Sequence, residues 1–160
     1  MDRSKFYLVV AALVVVGLLA YKKLSSKSYE PIVFMGETYL HVEDNEVNRV
    51  ENHMFTPGGV AVAETDEFIQ ISKYDHPDLT AQQVRVVQQQ VINSFSLRAV
   101  EGSEDRFFGV FEGTVPVYGY MKTDAFVLKV GPKHRAADRE ALRAGAGVHI
   151  DELSSVSSDF

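Results

Sequence analysis

TAQQVRVVQQQVINSF, residues 80 to 95, puts Val84, Val87, Val91, Ile92 and Phe95 at i, i+3, i+7, i+8 and i+11. That is one apolar stripe at the helical period. Gln82, Arg85, Gln88, Gln89 and Asn93 are read as lying away from it, and Thr80 with Gln83 makes the T-x-x-Q pattern of a capping box. The spacing therefore predicts a helix from Ala81 to about Phe95, amphipathic and suited to lie on a sheet.

The sequence on both sides supplies that sheet. Before the helix, Ile32 to Val42 alternates with β-branched and aromatic residues until Glu43-Asp44-Asn45-Glu46 is expected to break it. Val47 to Phe55 reads as a second strand ended by Thr56-Pro57-Gly58-Gly59, and Val60–Ala63 with Phe68–Tyr74 suits a hairpin. After the helix, Phe107–Thr114, Val115–Lys122 and Ala125–Val130 read as three strands, with Pro116 pointing to an edge or an irregularity. His134 to Ala144 reads as a short helix that Gly145 stops. Strands, long helix, three-strand meander and short helix together predict an α+β domain with an antiparallel sheet.

Composition narrows the chemistry. The chain has 160 residues and no cysteine, so disulfides, thiol nucleophiles and Cys-ligated metals are excluded. Charge is uneven: up to Lys27 five basic side chains face one acid, a net of +4, while the other 133 residues hold 11 basic and 21 acidic groups, a net of -10. The acidity sits before Leu79, where 11 acids face only Arg49 and Lys73. This argues against nucleic acid as a partner, since phosphate contacts need clustered Lys and Arg. It suits solvated faces, or an acidic face for a basic protein partner.

From Phe6 to Tyr21 the chain runs FYLVVAALVVVGLLAY without a charge, between Lys5 and Lys22-Lys23. As a helix it would reach roughly 24 Å against a hydrocarbon core of about 30 Å, a shortfall that snorkelling lysines and bilayer thinning absorb. A cleaved secretory signal is the rival, but Leu18-Leu19-Ala20 is a poor cleavage site. The expected organisation is a basic flank at 1–5, a single-pass transmembrane anchor in membrane lipid at 6–21, a short linker at 22–29, the α+β domain at 30–148 and a flexible acidic tail at 149–160. Basic residues flank the anchor on both sides, so its orientation stays open.

Catalytic motifs are scarce. His41, Glu43 and His53 form the one suggestive metal-binding set: on a strand His41 and Glu43 share a face, and His53 could lie opposite on the next strand. Asp44, Glu46 and Asn48 resemble the start of a calcium loop, but Arg49 and Phe55 occupy the positions that need Gly and Glu. Gly145-Ala146-Gly147 follows a helix rather than a strand, which does not fit a dinucleotide loop. The aromatics Phe107, Phe108, Phe111, Tyr118, Tyr120 and Phe126 fit core packing, with the Phe107-Phe108 doublet giving one ring to each sheet face. No cofactor is expected. The sequence points to a membrane-anchored, non-enzymatic protein whose domain docks a protein partner, with a membrane-tethered metal or small-molecule sensor and a membrane-anchored hydrolase as alternatives.

Overall fold

The computed structural model describes residues 22–23 and 29–156, without the side chains of residues 22–23 and 136–137. The expected anchor at 6–21, the flank at 1–5, most of the linker and the last four residues of the expected tail lie outside the described residues. Among the described residues no helix is long and apolar enough to cross a membrane.

The strands are β1 (Lys22–Lys23), β2 (Ile32–Phe34), β3 (Glu37–Val47), β4 (Val50–Pro57), β5 (Phe68–Lys73), β6 (Arg98–Ala99), β7 (Arg106–Phe111), β8 (Val115–Met121) and β9 (Ala125–Val130). Helix α1 is Ala81–Ser94 and α2 is Ala136–Val156. All nine strands join one antiparallel sheet in the order β1-β3-β4-β5-β9-β8-β7-β6, with β2 also pairing β3. Strand β9 returns beside β5, Phe68 opposite Val130, and so joins the meanders on either side of α1.

Each face of the sheet has its own core and helix. On one face Val84 and Val91 of α1, with Phe95 just after its last turn, pack with Met54, Phe68, Phe107, Phe111, Phe126 and Leu128. On the other, Ala146, Ile150 and Leu153 of α2 pack with Phe34, Tyr39, Phe55, Ile69, Ile71, Phe108, Tyr118 and Val127. The central strand β9 is buried along its whole length, as a strand covered on both faces must be. The aromatic series is thus divided between the two cores, and Phe108 lies under the terminal helix.

The capping box forms as read: Gln83 N–H donates to Thr80 Oγ1 at 3.2 Å and Thr80 N–H to Gln83 Oε1 at 2.9 Å. Gln88 departs from the expectation. It lies on the buried stripe and its Nε2 donates to the Lys122 carbonyl at 2.8 Å, which satisfies an amide that burial would otherwise penalise.

Four further expectations are corrected. Ile32 to Val42 is not one strand, because Met35 and Gly36 turn it into a β2–β3 hairpin with positive φ at both positions. The acidic cluster at 43–46 does not break β3, which continues to Val47 and turns at Asn48 and Arg49, again at positive φ. Val62–Glu64 is a 3-10 turn instead of a hairpin arm. Pro116 sits in a strand with a neighbour on each side, but beyond the end of the β9 pairing, which starts at Val117.

The terminal helix differs most. It is not short and does not stop at Gly145, and residues 149 to 156 are its last two turns rather than loose tail. Each glycine in a helix interior costs about 1 kcal/mol. Full burial of Ile150 and Leu153 returns roughly 2 kcal/mol each, so burial wins. Polar contacts fix the same turns: Met35 N–H donates to Glu152 Oε2 at 2.8 Å, and Arg106 reaches Asp151 Oδ1 at 2.7 and 2.8 Å.

Candidate metal centre

Strands β3 and β4 pair antiparallel, and their register slips between His41 and Glu43. His41 stands opposite Phe55, Glu43 opposite Met54 and Asp44 opposite His53. A β-bulge of this kind gives one strand an extra residue and reverses the alternation of faces beyond it. Two residues after His41, Glu43 therefore falls on the α1 side with Met54, and Asp44 comes round to the α2 side with His41 and His53. The structure brings His41 and His53 together as the sequence suggests, and Asp44 takes the place expected for Glu43. Period-two reading cannot find Asp44, because the bulge that selects it has no glycine or proline to mark it.

The three side chains converge closely. His41 Nε2 lies 2.6 Å and His53 Nδ1 2.7 Å from the same oxygen, Asp44 Oδ1. Asp44 and His53 are each 3% exposed, and His41 is nearly as well covered. One nitrogen from each ring and one carboxylate oxygen lie within 4.8 Å of one another. Burial alone would raise the Asp44 carboxyl; the hydrogen bonds from both imidazoles and their charge outweigh it and hold the group below its ordinary range.

An aromatic and acidic surround completes the cluster. The Tyr29 ring stands edge-on to His41 at 4.8 Å and to His53 at 4.9 Å between centroids, and Phe55 lies 5.3 Å from His41. Glu51 Oε2 is 3.7 Å from His53 Nε2, the ring nitrogen facing away from Asp44. Residues 22–23 join the sheet next to this cluster, with Lys23 opposite Asn45.

A second polar cluster lies on the same sheet face toward α2. Lys129 is buried, with Nζ 3.3 Å from Glu67 Oε2, an oxygen that also accepts from Tyr39 OH at 3.0 Å. Lys129 also stands 5.4 Å over the Tyr39 ring and 5.9 Å over that of Phe34. Burial lowers its amine to about 8 although Glu67 opposes the change. Tyr118 lines the same cavity of about 240 Å³; its buried hydroxyl has no partner among the described residues and is pushed up to about 12 by desolvation. A larger groove of about 430 Å³ runs between β6 and α2, lined by Arg98, Val100, Phe108 and Arg143 among others. Neither cavity is lined by Ser or Thr; the hydroxyls of the smaller one belong to Tyr39 and Tyr118, beside Glu37, Glu67 and His134.

No protein-family model, no curated protein and no solved structure matches the chain.

Proposed function

We propose that this is a single-pass membrane-anchored protein without catalytic activity, whose α+β domain docks a protein partner with a basic surface, as an accessory or structural component of a membrane-associated or envelope assembly. The observation that carries the reading is the sixteen-residue uncharged stretch from Phe6 to Tyr21, flanked by lysines and followed within eight residues by the folded domain. So short a connection keeps the domain at the membrane surface, where its net negative charge disfavours contact with anionic headgroups.

The surface of the first half supports docking. Val33, Met35, Leu40 and Val60 are large apolar side chains left exposed, Val33 at 61%. Val33 pairs with Thr38, and Leu40 lies two residues further along β3, so Val33 and Leu40 share a face on a hairpin whose outer strand β2 pairs, among the described residues, only with β3. Exposed Glu64 and Asp66 belong to the same half. Exposed apolar residues in a half of the domain with one sign of net charge suit a protein partner of opposite charge.

The test is co-purification of the full-length protein from its native membrane in mild detergent, beside a V33D/L40D variant. A partner in fixed ratio to the wild type, lost at least tenfold in the variant and weakened by raised salt, is expected. A partner indifferent to both changes, or turnover by the purified protein in a broad hydrolase screen, would overturn the reading.

A further inference from the structure

The geometry points to a binding site for a divalent first-row transition ion, zinc being the reference case, made by His41 Nε2, His53 Nδ1 and Asp44 Oδ1. Two imidazoles and one carboxylate are a donor set that zinc and ferrous iron both accept. Ligand atoms about 2.1 Å from a shared ion stand roughly 3 to 3.5 Å apart. The 4.8 Å limit on the present spread therefore asks only for small rotations of two rings.

The ion takes over the role that protons play in the metal-free cluster. Each imidazole now meets Asp44 Oδ1 through a hydrogen bond, and binding exchanges those two bonds for two metal–nitrogen bonds and one metal–oxygen bond. The ring protons leave the coordinating atoms, moving to the opposite nitrogens or to solvent. For His53 the opposite nitrogen, Nε2, faces Glu51 Oε2 at 3.7 Å, which favours the tautomer that frees Nδ1. Carboxylates beside metal-bound imidazoles commonly do this. One carboxylate leaves the bound ion with net charge +1, and three protein donors leave a tetrahedral ion one coordination position for water or a ligand. The bulge that turns Glu43 to the opposite face makes the set selective for Asp44.

The ion-binding site itself does not depend on the docking reading and is tested separately from it.

The experiment uses full-length protein without a histidine tag, stripped of metal in detergent micelles and titrated with Co²⁺ and then Zn²⁺. One equivalent of Co²⁺ is expected to give visible ligand-field bands that Zn²⁺ abolishes, and Zn²⁺ is expected to raise the thermal midpoint. Asp44→Asn should weaken binding by on the order of 100-fold or more, beyond the loss seen for outer-shell partners, while Glu43→Gln should leave it unchanged. Circular dichroism of both metal-free variants reports folding, and His41→Gln substitutes for Asp44→Asn if that variant does not fold. Less than 0.1 equivalent bound by folded wild type, or equal losses in Glu43→Gln and the ligand variant, would overturn the site.

Discussion

Lys129 places an ammonium between two aromatic rings and the half-hydrated carboxylate of Glu67, and burial lowers its amine from 10.5 to about 8. Between pH 8 and 10 the unfolded chain keeps that proton while the folded chain has lost it, so stability rises with pH across the window. The gain should approach about 2 kcal/mol, since a tenfold change in proton affinity is worth about 1.4 kcal/mol. Above pH 10 it reverses, because Tyr39 and Tyr74 are held above their ordinary value and protect the folded state only while protonated. Urea unfolding at pH 8, 9 and 10 checks this: the wild type should gain and Lys129→Met should stay flat, whereas parallel curves would contradict it. Hydropathy patterning does not reveal this lysine, since its neighbours Leu128 and Val130 mark only an inward strand. Gln88 is hidden differently. At 100° per residue it falls between Phe95 and Ile92, inside the stripe, but amide chemistry argues for solvent, and the Lys122 carbonyl that receives it is distant in sequence.

Helix α1 and strands β7 to β9 are legible because periodicity, caps and turn residues agree there. Strand β3 and helix α2 are not, because each contains a local signal overruled by distant contacts. In β3 the polar run 43–46 is kept in the strand by partners on β4: Asp44 meets His53, and Asn52 Nδ2 donates to Asn45 Oδ1 at 3.2 Å. Asn52 also accepts from Gln70 and Ser72 of β5, so the polar strip is satisfied across three strands. In α2 Gly145 signals a stop, but Ala146, Ile150 and Leu153 continue one buried face over the sheet. Leu153→Ala should therefore cost 2–5 kcal/mol in urea unfolding, the usual range for emptying a buried leucine site. A chain ended after residue 148, the boundary expected from sequence, would take Ile150 and Leu153 out of the α2 core and should unfold well before the full chain. Equal midpoints for the two lengths would mean that the last turns of α2 do not hold the core.

At the level of the whole molecule the α+β class and the antiparallel sheet are readable, whereas the return of β9 beside β5 is not. Joining the two meanders is a long-range pairing that no local pattern records. It makes one sheet with a helix on each face and leaves the acidic first half at one end, with its exposed apolar hairpin and the His41–Asp44–His53 cluster near the entry of residues 22–23. Function on this reading depends on where the domain is held. The measurement is the partition of the full-length protein, beside a chain lacking residues 1–28, when native membranes are washed with alkaline carbonate and then with detergent. Retention of the full-length chain through carbonate, its release only by detergent, and recovery of the shortened chain as a folded soluble domain are the predicted outcome. Release of the full-length protein by carbonate, or its recovery without the leading segment, would contradict membrane anchoring and with it the proposed role.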